Sequence, residues 1–151
     1  MSRVAGTVVA IGVLAAALAG CGSSGSPFKK HYETDQAQIV SVSAALSSLL
    51  ASTRSLQSPQ LASELQGYAA TLERDVEALA SMTPPSKLLR AYEQLLTAGA
   101  HVVVDLRTIA TASTAHQTAA ARSAIMTLTA DGQQLSGAAH SIDAGLGLPP
   151  S

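Results

Sequence analysis

Aromatic side chains and charge are both scarce in this chain of 151 residues. It has no tryptophan, and its aromatic side chains other than histidine are Phe28, Tyr32, Tyr68 and Tyr92. So few aromatic residues disfavour a site that stacks nucleobases or sugars. The formal net charge is -1, without the basic stripe that a nucleic-acid-binding protein needs, so we expect no nucleic-acid partner.

Motifs that carry out chemistry are also lacking. No glutamate is followed three residues later by a histidine, the spacing that di-iron sites use in helical bundles. No serine lies in a Gly-x-Ser-x-Gly turn, and there is no Gly-rich phosphate-binding loop. The sequence therefore predicts a protein that is not an enzyme and that uses no metal or cofactor.

The amino-terminal segment holds the longest apolar run. Met1–Arg3 gives a basic start, and Val4–Leu18 contains no charged residue. A basic start, an apolar run and a small-residue end are typical of a secretory signal. A membrane span is the alternative, because about 18 to 20 apolar residues cross a bilayer and Val4–Cys21 is of that length.

The run ends at the single cysteine of the chain, in Leu18-Ala19-Gly20-Cys21. This tetrapeptide resembles the lipobox of bacterial lipoproteins. The resemblance implies a diacylglyceryl group on the Cys21 sulfur and cleavage by a signal peptidase between Gly20 and Cys21. It implies a lipoprotein signal peptide over 1–20 and a mature protein anchored by lipid in the cell membrane, on the extracytoplasmic side. A thioether at Cys21 leaves no free thiol, which excludes redox, metal-ligand and disulfide roles.

Residues 21–33 are predicted to form the lipid anchor and a flexible tether. Gly22–Pro27 is poor in apolar side chains and has the composition of a linker. Lys29, Lys30 and His31 follow, and they have two interpretations: contact with anionic headgroups, or solvated charge.

The rest of the chain, 34–148, has the apolar periodicity of four helices. Their starts are indicated by capping residues or by proline in the first turn, at Asp35 with Gln38, Ser58-Pro59, Pro84-Pro85 and Thr114 with Gln117. Gly145, Gly147, Pro149 and Pro150 predict the end of the last helix. The four apolar stripes are Ile39, Val42, Leu46, Leu49, Thr53 and Leu56; Leu61, Leu65, Tyr68, Leu72, Asp75 or Val76, Leu79 and Met82; Leu88, Tyr92, Leu95, Gly99, Val102, Leu106 and Ile109; and Ala121, Ile125, Leu128, Gly132, Leu135, Ala139, Ile142 and Leu146.

Four stripes joined by short connections bury one another when neighbouring helices run antiparallel. We therefore predict an all-α fold, an antiparallel up-down-up-down four-helix bundle over 34–148. The β-branched run His101–Val104 lowers helix propensity locally, but packing should override it. Thr83–Tyr92 also resembles turns in small alanine-rich lipoproteins of actinobacteria, a resemblance that implies nothing about chemistry.

One set of polar residues could bind a metal. His101 and Asp105 lie four apart on one helical face, and Asp131 is expected across the bundle. Zinc needs three or four protein ligands, so the simpler interpretation is a partly exposed histidine on the flank of the helix.

Other charged residues have simpler interpretations as well. His140 and Asp143 are three apart, and Asp143 is expected to form a surface ion pair with Lys87 or Arg90. The remaining charge cluster could be an acidic docking face or the solvated side of a helix, and it consists of Glu73, Arg74, Asp75 and Glu77.

One layer of the predicted bundle is made of small residues: Ala45, Ala69, Gly99 and either Asp131 or Gly132. Glycine inside a helix costs about 1 kcal/mol relative to alanine, so two at one level need a reason. Either the third and fourth helices approach closely there, with Tyr68 filling the remaining space, or the layer is a pocket. Residues at the edge of such a pocket would be Tyr68, Gly99, His101, Asp131 and Gly132.

Two functions follow from this layout. The first is a non-catalytic interaction module, a membrane-anchored bundle that docks on another envelope protein through a helix face. The second is a binding protein for a small apolar ligand in the bundle core. A deep void favours the ligand-binding function, whereas an exposed apolar patch of several hundred Å² favours docking.

Overall fold

A computed structural model describes residues 27–52 and 59–149. Within these ranges the chain forms helices and turns and no strand, which confirms the all-α prediction. The helices are α1 (Pro27–Ser52), α2 (Pro59–Ala80), α3 (Leu89–Thr114) and α4 (Thr118–Leu146), with a 3-10 turn at Ser86–Leu88 before α3. The predicted signal peptide, the lipobox with Cys21 and the tether up to Ser26 lie outside the described residues.

Helix α1 begins at Pro27, so the predicted start at Asp35 is wrong. Residues 27–33, which were assigned to the flexible tether, are helical instead. Proline fits the first turn, where its missing N–H costs nothing. Tertiary packing accounts for the added turns: the ring of Phe28 stacks on Tyr32 at a centroid distance of 6.0 Å and meets the edge of Tyr92 on α3 at 5.4 Å.

Helices α2 and α3 begin close to their predicted starts. Helix α2 starts at Pro59, as predicted, and α3 follows the Pro84-Pro85 break after one 3-10 turn. The β-branched run stays helical because Val102 and Val103 are both buried in the core. On α1, the side chains of Ile39 and Leu46 are buried, whereas the side chains of Val42 and Leu49 and the residues Thr53, Leu56 and Ser58 lie outside the described part.

The connection between α3 and α4 differs from the prediction of a capping box. Thr114 is the last residue of α3, and its hydroxyl donates backwards to the carbonyl oxygen of Thr111 at 2.9 Å. His116 takes the left-handed conformation with φ 57°, and the amide of Gln117 donates to Ala112 at 2.8 Å. This is the Schellman ending of a helix, with histidine where glycine is usual.

Helix α4 ends as predicted, and the face that it buries is shifted from the predicted stripe, with Ala121, Leu128, Leu135 and Ile142 common to both. Gly147 adopts φ 65°, and the amide of Leu148 donates to the carbonyl of Asp143 at 2.9 Å, another Schellman ending. The buried positions of α4 are Ala121, Ala124, Leu128, Asp131, Leu135, Ala138, Ile142 and Asp143. Four positions of the predicted stripe lie at the edge of this buried face and are only half-buried: Ile125, Gly132, Ala139 and Leu146.

Helix α3 is the centre of the domain, packing extensively against both α2 and α4, while α1 lies mainly against α2. Its side chains Leu106, Ile109 and Ala110 are fully buried. The segment Ser86–Thr114 is long and apolar enough to cross a membrane by length and composition, but more than half of its apolar window is buried inside the protein. Within the described residues we therefore treat α3 as a core helix.

Candidate functional site

A groove of about 500 Å³ lies between α1 and α4. Its floor is apolar and includes side chains from all four helices: Tyr32, Ile39, Val40, Leu46, Leu72, Leu95, Val102, Leu106, Leu128, Leu135 and Ala139. The groove exists because α1 packs mainly on α2 and leaves a gap beside α4. Its volume falls in the range of about 300 to 1,000 Å³ that is usual for small-molecule sites.

The rim of the groove is polar but uncharged. Thr129, Gln133 and Ser136 line one edge, at spacings of four and three residues along a single face of α4, and Gln36 lines the edge formed by α1. Among the described residues that line the groove, none is Asp, Glu, Lys, Arg or His. The described lining can therefore hold an apolar body and offer hydrogen bonds to a neutral group.

Gly132 is the one predicted pocket residue that lines the groove. A Cβ atom built on Gly132 would meet nothing within 4 Å, so this glycine faces open space. Gly99 behaves in the opposite way: its Cβ would lie 2.7 Å from Cγ2 of Val76, and it marks a close approach between α3 and α2. The predicted layer of small residues thus contains a tight contact at Gly99 and open space at Gly132. The tight contact is between α3 and α2, whereas the sequence predicted one between α3 and α4.

The other predicted pocket residues lie elsewhere. Tyr68 is half-buried and packs against the core, outside the groove. The His101 side chain is 57% exposed, and its Nδ1 lies 3.8 Å from Oδ2 of Asp131. Sequence reasoning missed the groove residues Gln36, Thr129, Gln133 and Ser136, because polar residues beside an apolar stripe resemble an ordinary solvated face.

The groove ends beside a buried carboxylate, Asp143. Both of its oxygens accept hydrogen bonds from Nε2 of Gln36, at 2.8 and 2.7 Å. Burial, followed by the charge of Asp143 and a hydrogen bond to it, raises the pKa of Tyr32 far above its usual range. The expectation of a surface ion pair from Asp143 is therefore wrong, because this side chain is only 1% exposed. Lys87 instead donates to the carbonyl of Gly145 at 2.7 Å.

A second buried acidic group joins α3 to α4. Burial first, and then the charge of the neighbouring Asp131, raises the pKa of Asp105, while His101 lowers it. Oδ2 of Asp105 is a buried oxygen without a hydrogen-bond partner. Within the described ranges, no group of three or more His, Cys, Asp or Glu side chains is arranged to hold a metal ion.

The charge cluster on α2 is not one face. Glu73 pairs with Arg107 of α3, with 2.6 Å between Oε2 and Nη2, and Glu77 is exposed. Asp75 is buried, and this burial is the main cause that raises its pKa. The charge of Asp35 raises the pKa of Asp75 further, whereas the charge of Arg74 lowers it. Burial, followed by the charge of Asp35, raises the pKa of Tyr92 to about 12.

Comparisons with protein-family models, curated proteins and solved structures find no match to this chain.

Proposed function

We propose that this chain is a lipid-anchored envelope protein that binds an uncharged, largely apolar molecule in the groove between α1 and α4. The observation that carries the proposal is the groove itself, with its aliphatic floor, its uncharged rim and a volume of about 500 Å³. Binding without chemistry fits this lining, since none of the described residues that line the groove carries a carboxylate, an imidazole or a thiol.

The distribution of exposed apolar side chains supports ligand binding over docking. Among the described residues, the large apolar side chains that are exposed are Val40, Leu89, Val104 and Met126, and they lie on three different helices. Docking sites present contiguous apolar patches of several hundred Å², and these residues are dispersed. The alternative of an interaction module therefore has less support than the groove.

The anchor completes the proposal. The lipobox Leu18-Ala19-Gly20-Cys21 supplies the residues for lipid attachment at Cys21, which is followed by cleavage between Gly20 and Cys21. Two acyl chains suffice for stable anchoring, whereas one binds a bilayer only marginally. The domain would then stand on the extracytoplasmic side of the cell membrane, with α1 starting six residues after Cys21.

We also propose that the four helices form an up-down-up-down bundle. Three contacts support this topology: Tyr32 on α1 donates to the carbonyl of Ala139 on α4 at 3.4 Å, Leu88 lies against Gly145, and His101 lies near Asp131. Each joins an early part of one helix to a late part of another, or two middle parts, as antiparallel neighbours require.

Filling the groove tests the proposed function. In Gly132→Leu the new side chain occupies open space, so the melting temperature should rise while binding of N-phenyl-naphthylamine, an uncharged apolar fluorophore, is lost. Gly137→Leu is the matched control, since Gly137 is an exposed position of α4 with nothing near its Cβ and outside the groove. Gly137→Leu should gain helix propensity and still bind the fluorophore. Equal probe binding by both variants would refute the groove as the site.

A further inference from the structure

The side-chain amide of Gln36, on the α1 edge of the groove, is held in one orientation. Its Nε2 donates to both carboxylate oxygens of Asp143, at 2.8 and 2.7 Å. The reverse orientation would place the amide oxygen against oxygens that only accept hydrogen bonds, so it is excluded. Gln36 therefore keeps its nitrogen on Asp143, and its oxygen, Oε1, is directed elsewhere.

The Oε1 atom of Gln36 is an acceptor that a ligand can use. Within the described part of the chain, no donor bonds to it. Among the described residues Gln36 lines the groove and Asp143 does not, so the oxygen side of the amide is the side left for the groove. The short bond to a carboxylate also polarises the amide, which strengthens Oε1 as an acceptor. A hydroxyl or N–H group of a ligand would satisfy this oxygen, whereas an ether oxygen would not.

The polar side chains of the α4 edge do not make the same selection. The hydroxyl of Thr129 donates to the carbonyl of Ile125 at 2.9 Å, so its proton is used within α4. Gln133 and Ser136 are exposed, and each can turn either a donor or an acceptor to a ligand. Among the described rim residues, the choice between a donor and an acceptor in the ligand therefore belongs to Gln36.

The apolar part of a ligand has room on one side of Gln36. One turn before Gln36, the hydroxyl of Tyr32 donates to the carbonyl of Ala139 at 3.4 Å and joins α1 to α4. The described side chains of α1 that line the groove after Gln36 are Ile39, Val40 and Leu46. From Gln36 to Leu46 the helix rises by about 15 Å, at 1.5 Å per residue. A polar head beside Gln36 and an aliphatic chain directed toward Leu46 fit this order.

We infer that the groove selects apolar molecules that end in a hydrogen-bond donor, as a primary alcohol does, and that Gln36 is the residue that selects them. The hydroxyl donates to Oε1 of Gln36, and the chain lies along Ile39 toward Leu46. The inference rests on the proposed ligand-binding function and adds the class of ligand. A purely structural role, in which Gln36 only satisfies the buried Asp143, predicts no dependence on a donor in the ligand.

Two isomeric competitors test this selection: n-decanol carries a donor, whereas nonyl methyl ether has the same composition and none. The full chain in phosphatidylcholine vesicles is loaded with N-phenyl-naphthylamine, and the half-displacement concentration of each competitor is measured after subtraction of protein-free vesicles. The ether is the more apolar molecule, so burial alone favours it. One hydrogen bond to Gln36 should instead make decanol the better competitor, by roughly two- to ten-fold.

Two variants of Gln36 and one of Gln133 assign the preference. Gln36→Lys keeps a donor for Asp143 but has no acceptor, and Gln36→Met has neither. Both should lose the preference for decanol, and Gln36→Lys decides the test if Gln36→Met does not fold. Gln133→Met, on the α4 edge of the groove, is the matched control and should keep the preference. Comparison of the ratio of the two half-displacement concentrations between proteins cancels the uptake of either competitor by the lipid.

The outcomes separate the inference from the proposed function. The same ratio in the parent and in Gln36→Lys would overturn the inference, even where both proteins bind the fluorophore. A ratio that changes in Gln133→Met and not in the Gln36 variants would overturn it as well. The proposed function fails separately, as a parent protein that does not bind the fluorophore.

Discussion

Asp105 on α3 and Asp131 on α4 are neighbouring buried carboxyls where the two most extensively packed helices meet. Both side chains are buried, and the nearby imidazole of His101 is largely exposed and lies 3.8 Å from Asp131. Gln134 extends the pair from the α4 side, with its Nε2 3.5 Å from Oδ1 of Asp131. Burial and the charge of Asp131 raise the pKa of Asp105, so this carboxyl makes the stability of the domain depend on pH.

The sign of this dependence follows from the pKa of Asp105, which is raised above the model-peptide value of 3.8. The folded state holds the proton more tightly than the unfolded state, so this contribution to stability is present at acidic pH and is lost as pH rises through the folded pKa. Asp105→Asn removes the titrating carboxyl from this buried position and keeps a side chain of similar size. We expect it to raise the free energy of unfolding at neutral pH by about 1 kcal/mol.

Urea titrations of the parent and Asp105→Asn across mildly acidic to neutral pH check this prediction. The difference between the two proteins should grow with pH, whereas other titrating groups cancel in the comparison. Stability curves that run parallel across this pH range would contradict a raised pKa at Asp105.

The ending of α3 predicts a stabilising substitution at His116. Its φ of 57° costs a residue with a Cβ about 1 to 2 kcal/mol, and glycine removes most of that cost. His116→Gly should therefore raise the melting temperature by a few degrees. Ala115→Gly serves as the control, because Ala115 has φ -82° and gains nothing from glycine. A lower melting temperature for His116→Gly would contradict the Schellman ending.

Gly99 predicts a destabilising substitution with a specific rescue. In Gly99→Ala the added methyl would lie 2.7 Å from Cγ2 of Val76, a β-branched side chain with little rotamer freedom in a helix. Overpacking should cost about 1 to 3 kcal/mol and exceed the gain of about 1 kcal/mol in helix propensity. Val76→Ala should recover stability in the double variant. Gly67→Ala, at an open position of α2, should be stabilising in the same denaturation assay.

The anchor is tested at its attachment residue. Cells fed a labelled fatty acid should label the parent protein, and Cys21→Ser should be unlabelled and keep its signal peptide, because no thiol is present to accept the diacylglyceryl group. Gel fluorography and the mass of the purified protein report both effects. Label that persists in Cys21→Ser would show that the lipid is attached elsewhere.

The apolar periodicity was enough to predict the four helices but only part of the face of α4 that is buried. Alanine carries little hydrophobic signal, and a buried aspartate looks like a solvated residue, so Ala124, Asp131 and Ala138 did not indicate the core. The groove was harder to predict, because it depends on how far α1 stands from α4 rather than on any local pattern. Gly132 was identified because glycine within a helix is costly and requires an explanation.

The junction of Pro27, Phe28 and Tyr92 has a mechanical consequence for the proposed anchor. Drag on a protein anchored at Cys21 would enter the described helices at Pro27, the first residue of α1. At that point Phe28 contacts Tyr92, Tyr32 reaches α4, and Gln36 holds Asp143. Side chains that contact two other helices would therefore oppose a pull on Pro27 before it reaches the part of α1 that walls the groove.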